Sequence, residues 1–438
     1  MLNLQLLFFS LHRYTFLMNH TIYPAPAVRR SVVRDILAFH NRPDMIPFAG
    51  GLPDPDTLPV AEIARAAQYV LSRQGAVALQ YGTTEGYRPL REFVAEYLCK
   101  RGFATVPDEI IITSGSQQGM DLISRWLLKP GDPVYAVEPM YNGALQNFES
   151  HGACIVPLAT DREGPIVHPL IQAFSAGKTH APGGFLSLSR SSRFSVGKGP
   201  GLLYLQPTLD NPTGGVISTS RRMRIARALG HFRGWMLEED PYGELLFDGH
   251  SESYISSLQP DRSLLLGSFS KIVSPSLRIG WIRGPSKAID SLVPIKQSMD
   301  LHTNLFSQMV LHRFLQDTNL DSHLERIRDI YRNRQTKAIG ALLRYGIIQD
   351  LPNPPAGGMF LWIETEMDSD ELARRAMSQG VALVPGSAFF SHPADGKRFF
   401  RLNYTAVDRD AIETGIERLA RALSLARLPD VAKNGGVL

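Results

Sequence analysis

From residue 109 onward the sequence alternates between two periodicities, and that alternation restricts the fold more than any other feature. Short runs rich in Val, Ile and Leu recur at "EIIIT" (109–113), "DPVYAVE" (132–138), "GLLYLQP" (201–207), "GWMLEED" (234–240) and "SLLLGSF" (263–269). Between them lie stretches of amphipathic helical character, such as "SQQGMDLISRWLL" (116–128) and "STSRRMRIARALGHF" (218–232). Strands apolar on both faces and alternating with helices predict an α/β fold with a mostly parallel central sheet covered by helices on both faces. Ligands of such sheets bind at the loops that follow the carboxyl ends of strands, so polar residues there are the candidates for chemistry.

With 438 residues the chain is too long for one ordinary core. From about residue 320 the texture changes. "HLERIRDIYRNRQTKAIGALLRYG" reads as one long helix, and "GGMFLWIE" (357–364), "GVALVPG" (380–386) and "RFFRLNY" (398–404) read as strands of a smaller sheet. The helix "DRDAIETGIERLARALSLA" closes the pattern. The expected division is an extension over 1–30, a segment over 31–55, a large domain over 56–318, a smaller C-terminal α/β domain over 319–428 and a mobile tail over 429–438. The Gly- and Ser-rich stretch 178–201 reads as a long surface loop.

Hydrophobic content of 44% with 20% charged residues describes a globular chain with a substantial core. Lys and Arg exceed Asp and Glu by only 46 − 42 = 4, without a dense basic block, which argues against nucleic acid as a partner. The two cysteines, Cys99 and Cys154, are too far apart for a zinc or redox motif and too few for a disulfide framework, so a reducing compartment is expected. The apolar start, "MLNLQLLFFSLHRYTFLMNH", is broken at His12 and Arg13 and is too short to span a bilayer. No acidic residue precedes Asp35, as in an organelle presequence; a true start at Met18 explains the segment equally well.

Several polar signals sit where strands end. "ITSGSQQG" opens a helix with Ser114, Gly115, Ser116 and Gln117, which makes a ready site for an anion such as phosphate, although Ser and Gly at a helix start are also ordinary caps. Asn211-Pro212-Thr213-Gly214 is a turn by its chemistry. In "LEEDPYGEL" a carboxylate, Asp240, ends a strand, and Tyr242 follows. "GSFSKIVSPSLRIGW" places Lys271 between small hydroxyl residues and adds Arg278. A lysine beside an apolar strand is ordinarily solvent-facing. A lysine amine, a carboxylate for a protonated ring nitrogen, a phosphate-holding helix start and an arginine are together the parts that hold pyridoxal 5′-phosphate.

The ordered words "YGTTEGYRPLRE", "ITSGSQQGMDL", "DNPTGG", "EEDPYGEL", "SFSKIVSPSLRIGW" and "RLNY" resemble the fold-type I, class I/II aminotransferases. Within that family they are most similar to the branch of 2-aminoadipate and kynurenine aminotransferases, over about residues 30–425. The resemblance implies the PLP-dependent transferase fold, with the segment 31–55 bending over the active site. It implies that Lys271 carries the cofactor as an internal aldimine and moves the substrate proton, and that Asp240 pairs with the pyridine nitrogen. Tyr242 and Asn211 would bind the phenolic oxygen, and Tyr141 would stack on the ring. The phosphate would be held by Ser116, Gln117, Ser268, Ser270 and Arg278, and by Tyr81 of the neighbouring subunit in a homodimer with shared active sites. Arg401 would grip the substrate α-carboxylate with its planar fork, which Lys cannot copy.

For the substrate, Gly50 and Gly51 in "FAGGLP" let the backbone approach closely, and Arg34 lies where the 2-aminoadipate enzymes carry an arginine for a distal carboxylate. The donors implied are 2-aminoadipate-like, aromatic or branched-chain L-amino acids, and the acceptor a 2-oxo acid such as 2-oxoglutarate, in a ping-pong sequence. Two other readings share the residues: a β-lyase or decarboxylase, and a MocR-like regulatory domain, which needs a DNA-binding domain ahead of it. The expected setting is cytoplasmic, with a mitochondrial presequence as the alternative; neither a metal nor a membrane is expected.

Overall fold

The structure is a computed structural model that describes residues 44–176 and 199–424. The apolar start, Arg34, most of the 178–201 loop and the tail from 429 therefore lie outside the described residues.

Seven strands form the main sheet: β1 (Ile110–Thr113), β2 (Pro133–Val137), β3 (Cys154–Leu158), β4 (Leu202–Leu205), β5 (Trp235–Asp240), β6 (Ser263–Ser268) and β7 (Gly280–Arg283). Their spatial order is β1-β7-β6-β5-β4-β2-β3. Only β7 runs against its neighbours, so the sheet is mostly parallel, as the sequence pattern requires. The order reverses between β2 and β4, the kind of switch point at which a crevice opens beyond the strand ends.

Successive residues of each strand enter different cores. Leu264, Leu266, Leu237 and Tyr204 pack with the helices Ser116–Leu127, Asn142–Ser150 and Ser286–Asp300 on one face. On the other, Ile110, Ile112, Leu265 and Trp281 meet Val60–Ala78, Arg88–Lys100 and Leu305–Asp317, while Leu203, Leu205 and Met236 meet Val167–Ala176 and Thr219–Ala228. Burial on both faces is why these strands read as continuous apolar runs.

The smaller sheet is antiparallel, with Phe399–Asn403 between Phe360–Glu364 and Val384–Pro385. The single strand expected over 380–386 is two short ones. Val381–Ala382 pairs in parallel with Ile46–Pro47, and Val384–Pro385 joins the smaller sheet. The segment after Ile46 is thereby tied to that sheet: Asn403 N donates to Phe48 O at 2.8 Å, and Thr405 Oγ1 to Leu52 O at 2.8 Å. A buried ion pair, Arg334–Asp54 at 2.7 Å, anchors the segment to the long helix Leu320–Arg344.

Candidate active site

Lys271 lies in the turn just after β6, three residues past the strand end at Ser268 rather than on the strand itself. Its Nζ donates to Gly51 O at 2.5 Å, and among the described residues no carboxylate forms an ion pair with it. Burial, followed by the charges of Arg401 and Arg278, lowers its pKa to about 8, against a small opposing pull from Glu239. A half-buried amine beside two cations and without an ion-pair partner is held closer to neutrality, as a nucleophile and base must be.

The turn Ser114–Ser116 forms an anion cup. Gly115 has φ +82°, and the Arg278 guanidinium occupies the space into which a Cβ would project, so only glycine serves there. Arg278 is itself left-handed at φ 55°, and its Nη2 donates to Ser114 O at 3.3 Å. At Gly280 a Cβ would come within 2.7 Å of Gly115 C and 2.8 Å of Ser116 N, so β7 abuts the cup backbone to backbone. Ser268 and Ser270 are buried close by, with Ser270 N donating to Ser268 Oγ at 3.1 Å. The exposed Gln117 side chain reaches Gly143 O at 3.3 Å. A helix N-terminus with hydroxyls and a guanidinium at its rim suits a phosphate.

Arg401 stands at the centre of the smaller sheet, opposite Trp362 and Val384. Its Nη1 donates to Asn211 Oδ1 at 2.8 Å and its Nη2 to Ala49 O at 2.7 Å, while its Nε has no partner among the described residues. The guanidinium lies 4.3 Å from the Phe360 ring centroid and 5.0 Å from that of Phe389. Burial pulls its pKa down to about 10. An unpartnered buried guanidinium nitrogen fits a carboxylate ligand. Asn211 Nδ2 also donates to Tyr242 Oη at 3.2 Å, and burial raises the pKa of Tyr242. Burial, assisted by Glu239, pushes Tyr141 up to about 12.

The structure corrects one expectation. Asp240 does not face this group. Its Oδ1 accepts from Gly243 N at 2.8 Å, and its electrostatic neighbours are Arg101, Glu244 and Arg222. The residue turned toward Lys271 is Glu239, bonded to Tyr204 Oη at 2.6 Å and Gln206 Nε2 at 2.8 Å, with the Ser116 hydroxyl as a further partner. The reason is strand alternation: Leu237 and Glu239 share the face of the cup helix, and Glu238 and Asp240 share the other. Burial raises the carboxyl pKa of Glu239, while Tyr204, Gln206 and Ser116 oppose the rise. Asp210, also missed from sequence, is pushed up to about 7 by burial and secondarily by Glu239, against its bond from Thr213.

The structure thus brings Lys271, Tyr242, Asn211, Tyr141, Ser116, Arg278, Ser268, Ser270, Arg401 and Gly51 together. Tyr81 does not join them within one chain; it is 78% exposed, with its ring edge-on to His302. Among the described residues no cluster of three metal-ligating side chains occurs.

The family model for aminotransferase class I and II matches residues 43–419. A 2-aminoadipate transaminase of Thermus thermophilus is 36% identical over 91% of this chain and 95% of its own length. Aromatic-amino-acid aminotransferase 1 of Thermococcus litoralis is 36% identical over 91% and 93%. The crystal structure of LysN, the α-aminoadipate aminotransferase of Thermus thermophilus, complexed with N-(5′-phosphopyridoxyl)-L-leucine, superimposes with a TM-score of 0.79 at 35% identity, covering 92% of this chain and 97% of that one. The chain belongs to the class I and II aminotransferases. It is a pyridoxal-phosphate-dependent enzyme of fold type I.

The Lys271 amine is neutral above its lowered pKa. The rate at which cofactor-free protein couples pyridoxal phosphate, followed by visible absorbance, is therefore expected to rise with pH through about 8 and then level. A rise centred on the ordinary lysine value of 10.5 would contradict the assignment.

Proposed function

We propose that the enzyme moves an amino group from an L-amino acid of the 2-aminoadipate or aromatic type to a 2-oxo acid such as 2-oxoglutarate, with Lys271 as the cofactor-bearing residue and proton carrier. The observation that supports this most is the half-buried Lys271 amine, flanked by Arg401 and Arg278 and without a carboxylate in ion-pair contact among the described residues. When bound, pyridoxal phosphate supplies an electron sink that acidifies the substrate Cα–H.

The protein's own groups do the rest. Ser116, Gln117, Ser268, Ser270 and Arg278 hold the phosphate, and Tyr141 covers one ring face. Asn211 and Tyr242 bind the phenolic oxygen. Glu239, in the role that the family resemblance implied for Asp240, carries the negative charge that keeps the ring nitrogen protonated. Arg401 takes the substrate carboxylate in a water-poor pocket between Phe360 and Phe389, where a charge-assisted pair is strong. Lys271, steadied by the hydrogen bond that its Nζ donates to Gly51 O, would take the proton from the substrate Cα and deliver it to the C4′ carbon of the cofactor.

The donor class rests on the two relatives named above and on Arg34 as a partner for a distal carboxylate. A homodimer fits the exposed apolar side chains Leu79, Tyr81, Met299 and Leu301, and would let Tyr81 reach the phosphate of the second copy. The boundary at residue 319 separates a cofactor-binding domain from one that brings Arg401. Among the described residues no helix is long and apolar enough to cross a membrane.

A panel of amino donors with 2-oxoglutarate tests the function. Turnover of 2-aminoadipate and glutamate is expected; turnover of aromatic donors alone would remove the role of Arg34, and none with any donor would refute the reading. Glu239→Gln is expected to lower kcat about 100-fold or more, the range of a lost electrostatic stabiliser, and Asp240→Asn far less. The reverse order would restore Asp240.

A further inference from the structure

Two of the Glu239 partners meet at a single oxygen. Tyr204 Oη and Gln206 Nε2 both donate to its Oε2, at 2.6 and 2.8 Å. The same Gln206 amide accepts from Asn211 N at its Oε1, at 3.1 Å. Its orientation is forced, because a backbone N–H only donates and a carboxylate only accepts. Asn211 passes the constraint on through Oδ1, which accepts from Arg401 Nη1 at 2.8 Å. Gln206, Asn211, Glu239 and Arg401 are all buried, so no solvent competes for these bonds and each partner lost leaves a polar group stranded. A cavity of about 230 Å³ borders Tyr204 and Gln206, so a side chain of similar volume is accommodated there.

We propose that Gln206 is a positioning residue whose single amide fixes two functional groups at once: Glu239 through its N–H, and Asn211, with Arg401 behind it, through its oxygen. The proposal rests on the aminotransferase reading above, with Glu239 facing the cofactor ring and Arg401 the substrate carboxylate. It makes the two ends separable. Gln206→Glu keeps the acceptor for Asn211 but sets a second carboxylate against Glu239. Tyr204→Phe loosens Glu239 alone. Gln206→Met releases both ends at nearly constant volume.

Steady-state kinetics of the holoenzymes, with pyridoxal phosphate affinity from fluorescence quenching of the cofactor-free proteins, distinguish the ends. Gln206→Glu and Tyr204→Phe are expected to lower kcat and weaken cofactor binding about tenfold or more, with KM for the amino donor changed less than about twofold. Gln206→Met is expected to lower kcat and also raise KM about tenfold, since Arg401 loses its steadied partner. Wild-type kcat and KM in Gln206→Met, even with a lower melting temperature, would reduce the amide to a packing role and overturn the proposal. Equal changes of KM in all three variants would also overturn it. A wild-type protein that takes up no pyridoxal phosphate would instead refute the underlying reading, before any variant is compared.

Discussion

A half-buried amine beside two guanidinium groups is the constraint around which this structure is arranged. Burying Lys271 near Arg401 and Arg278 disfavours its charged form, and no ion pair from the described residues relieves it. The scaffold tolerates this because the sheet beneath is packed on both faces and the amine donates a hydrogen bond to a backbone carbonyl, Gly51 O. That carbonyl belongs to a segment fastened to the smaller sheet by Phe48, Leu52 and Asp54. The electrostatic state of the lysine therefore depends on contacts made by parts of the chain more than 200 residues away.

Arg401 shows the same dependence from the other side. Its strand pairs with Phe360–Glu364 and Val384–Pro385, yet its side chain ends on Asn211 and Ala49, so the smaller sheet contributes the cation and the loop after β4 aims it. Aromatic rings flank the guanidinium and leave its Nε for a ligand. A path of hydrogen bonds then runs from Arg401 through the Asn211 side chain and backbone N–H to Gln206 and on to Glu239.

Much of this was legible in the sequence, for a physical reason. Strands buried on both faces write themselves as unbroken apolar runs, and the loops after them carry the polar words, so the sheet, the cup at Ser114–Ser116 and Lys271 could all be placed. Which of two adjacent acids faces the site could not. In "LEED" the choice between Glu239 and Asp240 is one of strand parity, settled by Tyr204 and Gln206 on the neighbouring strand and the loop after it, and a one-residue difference reverses the face. The splitting of 380–386 was hidden for a similar reason: half of it pairs with Ile46–Pro47, a partner more than 300 residues distant. Gln206 and Asp210 gave no signal because a single amide or acid in a turn reads as turn chemistry.

The central claim is that one lysine, Lys271, carries the cofactor. Borohydride reduction of the holoenzyme, followed by proteolysis and mass spectrometry, reads it most directly. The account predicts a phosphopyridoxyl group on the peptide containing Lys271 and on no other; label on a different lysine, or spread over several surface lysines with Lys271 unmodified, would contradict it.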